Sequence, residues 1–95
     1  MHYLYILYSK SSQKFYIGET NNLEERILKH NNHSYSNSFT KIADDWEIVL
    51  TFSCNNREEA LYLESFIKRM KSKTFNNKII SDPSILNEIL LKRKS

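Results

Sequence analysis

The segment that decides the fold is residues 16–26, YIGETNNLEER. It begins with aromatic and β-branched residues, which favour a strand, and it contains the only glycine of the chain, Gly18. Residues 20–22 have side chains that suit a helix N-cap, and Glu24 and Glu25 follow where the helix dipole favours acids. Together with the two residues before it, the segment therefore predicts a strand over residues 14–18, a bend or close backbone approach at Gly18, and a helix that carries Arg26.

The residues before this segment predict the other half of a β-hairpin. Residues 2–8 are apolar on both alternating faces, which is typical of a strand covered on both sides, and residues 9–13 form a polar turn. An even number of residues between the last opposed pair places Tyr5 and Tyr16 on one face, and an odd number places them on opposite faces. We predict the even number.

The residues after the segment predict one more strand and three more helices. The first helix continues to about Asn31 on an apolar stripe, and a polar, irregular loop follows at residues 32–45. Residues 46–54 are apolar and rich in β-branched residues, which predicts the third strand. Residues 55–59 resemble a capping box, which predicts the start of the second helix. The apolar stripe of the first helix consists of Leu23, Ile27 and Leu28. The second helix ends near residues 71–73, and its apolar positions at helical spacing are Ala60, Leu63, Ile67 and Met70.

A short helix over residues 74–80 and a last helix over residues 83–92, opened by Asp82 and Pro83, complete the pattern. The order is β-β-α-β-α-α-α. This order predicts an α+β fold with a small, three-stranded, mostly antiparallel sheet flanked by helices.

Composition sets the expected class of protein. The 95 residues, 40% of them hydrophobic, are enough for one compact core, so a single domain over residues 1–95 is expected. The chain has no apolar run of about 18 residues and no signal peptide pattern at its start, which indicates a cytoplasmic protein without a membrane anchor. Cys54, the only cysteine, ends an apolar run and is interpreted as a small core residue.

Basic residues are concentrated in the second half of the chain. Residues 1–47 hold five Lys and Arg against six Asp and Glu, whereas residues 48–95 hold nine against five. Five of the nine follow one another without an intervening acid: Lys68, Arg69, Lys71, Lys73 and Lys78. This clustering is consistent with a surface that binds a polyanion, and equally with a solvated helix face.

Several polar residues, on elements that can converge on one face of the predicted sheet, are candidates for phosphodiester chemistry. Arg26 and His30 lie one turn apart on the first helix, and Glu64 lies beside the apolar face of the second. Glu64 could hold a divalent ion, Mg²⁺ or Mn²⁺, while Arg26 clamps the phosphate; alternatively, Glu64 forms an ordinary i,i+4 pair with Lys68. Because a free tyrosine is almost entirely protonated at neutral pH, metal-assisted hydrolysis is favoured over Tyr5 or Tyr16 acting alone. His30 is an alternative proton acceptor.

These residues resemble the motifs of the GIY-YIG nuclease superfamily, over about residues 2–80. Tyr16-Ile17-Gly18 is the second motif as written, and Tyr3-Leu4-Tyr5 stands in place of the first, keeping its tyrosine, Tyr5, without its glycine. Residues 16–26 resemble the strand-turn-helix segment that carries the catalytic arginine, here Arg26. The chain is most similar to small, stand-alone bacterial members, and it also resembles the catalytic module of homing endonucleases and of the excision-repair incision nuclease.

The resemblance implies an endonuclease that uses a single divalent metal. Glu64 matches the metal-binding glutamate, His30 a histidine of some members and Asn76 a later asparagine, while Tyr5 or Tyr16 is the base or positions water. The additional DNA-binding domain that is usual in the family is not expected within these 95 residues, so specificity is expected from the loop at residues 32–45, from a protein partner or from a basic segment, or is absent. The nucleic-acid-binding candidates of that segment are Lys68, Arg69, Lys71, Lys73, Asn76 and Lys78.

The expected partner is nucleic acid, DNA ahead of RNA, bound mainly through its backbone and in a role such as DNA repair. A non-catalytic nucleic-acid-binding module with the same fold is the alternative. A protein-interaction domain that retains vestigial site residues is a third possibility.

Overall fold

The computed structural model describes residues 1–31 and 45–94, without the side chains of residues 29–31 and 94. The predicted element order is confirmed. The elements are β1 (His2–Ser9), β2 (Lys14–Thr20), α1 (Leu23–Asn31), β3 (Trp46–Cys54), α2 (Arg57–Met70), α3 (Lys73–Ser81) and α4 (Ser84–Lys94). Apart from Asp45, the predicted loop at residues 32–45 lies outside the described residues.

The three strands form an antiparallel sheet in the order β2-β1-β3, so β2 lies at an edge. The last opposed pair of the hairpin is Ser9 and Lys14, which leaves the even number of intervening residues that was predicted. Tyr16 lies opposite Leu7, two residues from Tyr5 along β1, and alternation therefore places both phenols on one face. This prediction is confirmed.

The two faces of the sheet carry separate apolar clusters. The larger cluster packs between one face and the helices α2, α3 and α4; its buried members are Leu4, Ile6, Leu50, Cys54, Ala60, Leu63, Ile67, Ile79, Leu86 and Leu90. The smaller cluster lies on the opposite face, where buried Tyr5, Leu7 and Trp46 pack with Tyr16 and with Leu23 and Ile27 of α1. The sheet thus separates α1 from the three later helices.

An irregularity in β3 brings Trp46 to the tyrosine face. Ile6 pairs with Leu50 but the next residue, Leu7, pairs with Ile48, so that Val49 is one residue extra. Since successive side chains of a strand point to opposite faces, an extra residue reverses the alternation beyond it. Trp46 consequently joins Tyr5, whereas Leu50 joins the larger cluster.

Local hydrogen bonds fix the starts of the helices. Asn56 Oδ1 accepts the backbone N–H of Glu59 at 2.9 Å, and Glu59 Oε1 accepts the N–H of Asn55 at 2.9 Å, which confirms the predicted capping box. Asn22 Oδ1 accepts the N–H of Glu25 at 3.1 Å and begins α1. Strand β2 runs two residues further than predicted, to Thr20, whose Oγ1 accepts the N–H of Asn22 at 3.0 Å.

Burial corrects two of the predicted apolar positions. Leu28 on α1 is 62% exposed and Met70 on α2 is 46% exposed, because each lies at the margin of its stripe and the sheet does not reach it. Cys54 is buried as interpreted, and that burial raises the pKa of its thiol. Within the described part of the chain, no helix is long and apolar enough to cross a membrane.

Candidate active site

Gly18 is a site of close approach between β2 and a phenol of β1. It lies opposite Tyr5, and a Cβ atom at residue 18 would stand 2.5 Å from Tyr5 Oη and 2.6 Å from Tyr5 Cζ. The glycine does not have a positive φ. Its missing side chain therefore makes room for the Tyr5 ring, which confirms the predicted close approach and excludes a conformational requirement for glycine.

The two phenols differ in how far they are buried. Their ring centroids are 6.3 Å apart, and Tyr16 also meets Trp46 edge-on at 6.4 Å. Tyr5 is only 2% exposed, whereas Tyr16 is half-buried. Tyr16 is therefore the phenol more accessible to a substrate.

A cavity at the end of β2 gathers two arginines from different helices. Its volume is about 230 Å³, and it is lined by Arg26 of α1 and Arg57 of α2 together with His2, Glu19, Thr20 and Asn21. Glu19 Oε2 lies 2.6 Å from His2 Nε2, and Glu19 Oε1 lies 3.6 Å from Arg57 Nε. Two guanidinium groups around one small cavity suit a phosphate, whose oxygens accept several hydrogen bonds at once. We call it the arginine cavity.

Three of these residues were not identified from the sequence. His2, Glu19 and Arg57 are far apart along the chain and meet because the start of α2 packs beside the end of β2. Glu19 had one available signal, its position directly after Gly18 within residues 16–26. Arg57 had none, because an arginine in the first turn of a helix is ordinarily read as surface.

Glu64 lies along the side of α2 that follows the β2 edge. At 100° per residue, positions 57, 64, 68 and 71 fall within about 60° of the helix circumference. Arg57 contacts Glu19 near the end of β2. Lys68 and Lys71 line a cavity together with Lys14, the first residue of β2. Glu64, between them on the same stripe, must therefore lie beside the middle of the strand.

Glu64 is not directed into bulk water. Its side chain is 20% exposed, and Oε2 accepts a hydrogen bond from Lys68 Nζ at 2.7 Å, so the i,i+4 pair considered as the alternative is present. The expectation that the phenols and this carboxylate share one face of the sheet is wrong. Tyr5 and Tyr16 lie on the α1 face and α2 packs on the other, so they can meet a common ligand only around the β2 edge.

The predicted basic segment divides in the structure. Lys68, Lys71, Lys73 and buried Asn76 line a second cavity, of about 540 Å³, beside β2. Arg69 instead lies over the ring of Phe66, 5.9 Å from its centroid, and neither Arg69 nor Lys78 lines this cavity. The side chain of His30 lies outside the described residues.

The donor atoms fit a metal held by one carboxylate. Within the ranges that the structure describes, no three His, Cys, Asp or Glu side chains form a cluster that could enclose an ion. Mg²⁺ keeps several water ligands and often takes only one or two protein carboxylates. Glu64, partly exposed beside the strand edge, is compatible with that mode of binding.

Comparisons with known proteins agree with this architecture. The family model described as the GIY-YIG catalytic domain matches residues 1–78. A UPF0213 protein of Clostridium perfringens is 38% identical over 90 residues, which cover 93% of this chain and 91% of that protein. The solution NMR structure of a UPF0213 protein from Bacillus halodurans is 29% identical, with a TM-score of 0.53, over 84% of this chain and 82% of that one.

The solved structure supports the α+β fold in which an antiparallel three-stranded sheet is flanked by helices. The family match extends from the first strand into α3, and so includes both tyrosines, Gly18, Arg26 and Glu64. The chain therefore belongs to the GIY-YIG family and is similar to its UPF0213 proteins.

Proposed function

We propose that this protein is a metal-dependent endonuclease that hydrolyses phosphodiester bonds of nucleic acid, DNA ahead of RNA, at the edge of β2. Membership of a family of nucleases supports the reaction class. The observation that carries the proposal is that α1 and α2, on opposite faces of the sheet, direct Arg26 and Arg57 to one cavity at the end of this strand. Glu64 lies further along the same edge.

Different side chains bind the phosphodiester, position the attacking water and hold the metal. Arg26 and Arg57 hold the phosphate oxygens and stabilise the negative charge that increases during attack. Tyr16, the more accessible phenol, orients the attacking water and takes part in its proton transfer, and buried Tyr5 supports the Tyr16 ring. Glu64 holds Mg²⁺ or Mn²⁺, which when bound makes a water ligand more acidic and neutralises phosphate charge.

Lys68 engages one oxygen of Glu64, Oε2, and would have to move for both carboxylate oxygens to face a cation. The pair is an i,i+4 contact in which the Lys68 side chain is 51% exposed, and such pairs stabilise a helix by only about 0.3–0.5 kcal/mol. Breaking it therefore costs little compared with what metal coordination supplies. The released ammonium group then becomes available to a phosphate of the substrate.

The proposal is tested by cleavage of supercoiled plasmid, branched DNA and structured RNA in the presence of Mg²⁺ or Mn²⁺. We expect Glu64→Gln to lower the cleavage rate by about 100-fold or more, and Arg26→Lys by about tenfold or more, because each removes a contact to developing charge. Glu88→Gln is the matched control, since Glu88 is exposed on α4 and is not among the proposed site residues.

Two results contradict the proposal. One is the absence of cleavage of all three substrates by folded wild-type protein, and the other is unchanged cleavage by Glu64→Gln. Salt-sensitive binding without turnover would instead support the non-catalytic module, for which the Lys68 pair on Glu64 is a structural argument.

A further inference from the structure

Two adjacent cavities lie around the end of the β-hairpin. The larger, of about 540 Å³, lies between β2 and the junction of α2 with α3, and the smaller, of about 440 Å³, lies between the hairpin and α3. Phe15 and Lys73 line both cavities, so the two lie directly beside each other. We call the combined space the hairpin groove.

The hairpin groove is basic. Four lysines line it, namely Lys14, Lys68, Lys71 and Lys73, and no Asp or Glu is found among the described residues of its lining. In the part of the chain that the structure describes, Lys14 and Lys71 form no ion pair or side-chain hydrogen bond. Their charges are therefore available to an anionic ligand.

The floor of the groove includes an aromatic pair. Tyr8 and Phe15 lie opposite each other on β1 and β2, with ring centroids 4.9 Å apart, and both line the smaller cavity. Each ring is only half-buried. Partly exposed rings beside lysines are the arrangement on which proteins stack the bases of single-stranded nucleic acid.

Left-handed backbone conformations occur on both walls of the groove. Among the described non-glycine residues, only Gln13 and Lys71 have positive φ, at 54° and 48°. Gln13 ends the hairpin turn and Lys71 ends α2, a position where glycine is the residue best suited to the conformation. A lysine at this strained position contributes a cation to the lining of the larger cavity.

We propose that the hairpin groove binds a single-stranded segment of nucleic acid, with its phosphates on the lysines and a base against Phe15 and Tyr8. A base pair inside a duplex is already stacked on its neighbours and cannot lie against these rings, so the bound segment must be unpaired. Lys68, one turn from Glu64, joins the groove to the proposed cleavage site. The inference therefore rests on the proposed function for its position in the reaction, and it selects substrates with a single-stranded branch or end.

The test is fluorescence anisotropy with a labelled 12-mer as single-stranded DNA, as single-stranded RNA and as duplex DNA. EDTA in the buffer prevents cleavage. Wild-type protein should bind the DNA or the RNA single strand at least fivefold more tightly than the duplex. Comparison of the two single strands identifies the preferred sugar.

Variants locate the binding to the groove. Lys71→Gly should weaken single-strand binding at least threefold while keeping the melting temperature, because glycine favours the left-handed backbone. Lys14→Gln should act similarly, and each should reduce the slope of log affinity against log salt by about 0.7. Lys10→Gln, which removes the same charge from an exposed turn residue outside the groove lining, should change affinity less than twofold.

Phe15→Leu tests the stacking separately from charge. It keeps an apolar side chain but removes the flat ring, so binding should weaken at least threefold with an unchanged salt slope. Tighter binding of the duplex overturns the inference, as does wild-type affinity of the folded Lys14 and Lys71 variants. None of these binding assays requires cleavage. The groove proposal can therefore be refuted while the nuclease proposal stands, and the nuclease proposal can be refuted while the groove proposal stands.

Discussion

A single hydrogen atom at residue 18 determines where the Tyr5 ring can lie. An added Cβ would meet the ring at 2.5–3.0 Å, and the ring, 2% exposed, is enclosed by its neighbours and cannot withdraw cheaply. We therefore expect Gly18→Ala to lower the free energy of unfolding by about 1–3 kcal/mol, as overpacking does in other cores. Urea unfolding of the two proteins measures the difference.

A double-mutant cycle tests whether that loss of unfolding free energy comes from contact with the Tyr5 ring. In a Tyr5→Val background the obstructing atoms are absent, so adding Gly18→Ala should cost much less than it does in the wild type. Equal costs in both backgrounds would show that Gly18 acts through its backbone and not through the space it leaves.

Single residues also mark the limit of what the sequence could reveal about the site. Tyr16, Gly18 and Arg26 stood out because they occur within eleven residues and their spacing matches a known motif. Arg57 and Lys14 did not, since each becomes part of a cavity only when α2 packs along β2. Local spacing carries no information about such packing.

At the scale of whole elements, the start and end of each helix and strand were largely predictable. Hydrophobic periodicity and capping side chains act over a few residues, so the capping box at Asn56 and Glu59 could be read directly. The extra residue in β3 could not, because no glycine or proline marks it and only pairing with β1 shows it. The packing of α1 and α2 on opposite faces, which separates the phenols from Glu64, was also beyond prediction, because it depends on contacts between segments far apart in the sequence.

The hairpin turn is connected to the start of β3 through Asp45. Ser9 Oγ donates to Asp45 Oδ1 at 2.6 Å, and the Ser11 backbone N–H donates to Oδ2 at 3.0 Å. These hydrogen bonds, first that from the Ser9 hydroxyl, lower the pKa of Asp45 below its usual value of 3.8. A carboxylate with a lowered folded pKa contributes stability above pH 3.8, and that contribution disappears as the pH falls through the folded pKa.

We expect Asp45→Asn to lower the melting temperature at pH 7, because the amide nitrogen cannot accept the bonds that a carboxylate oxygen accepts. The difference from wild type should shrink as the pH falls below 3.8, where the wild-type carboxyl also becomes protonated. Thermal unfolding, monitored by circular dichroism at pH 7 and below pH 3.8, measures this difference in melting temperature. Glu47→Gln, which removes an exposed carboxylate from β3, is the comparison variant measured at both pH values; a constant difference for Asp45→Asn would contradict the assignment.

For the molecule as a whole, the residues proposed to bind nucleic acid and the carboxylate proposed to hold the metal lie at different points along β2. The arginine cavity lies at one end of the strand, the hairpin groove at the other, and Glu64 between them. Seven residues of strand span about 23 Å, so one nucleic acid strand can contact all three. The cations proposed to attract the nucleic acid backbone are lysines and arginines, which are charged whether or not a metal is bound.

Removal of divalent metal should therefore abolish cleavage and leave binding within about twofold of its original affinity. Glu64→Gln, assayed in EDTA, should bind at least as tightly as wild type, because it removes a negative charge from the path of the backbone. Cleavage in EDTA would refute the metal requirement, and loss of binding would show that the ion itself holds the substrate. Restoration of cleavage by added Mg²⁺ or Mn²⁺ in wild type, but not in Glu64→Gln, would assign the ion to this carboxylate.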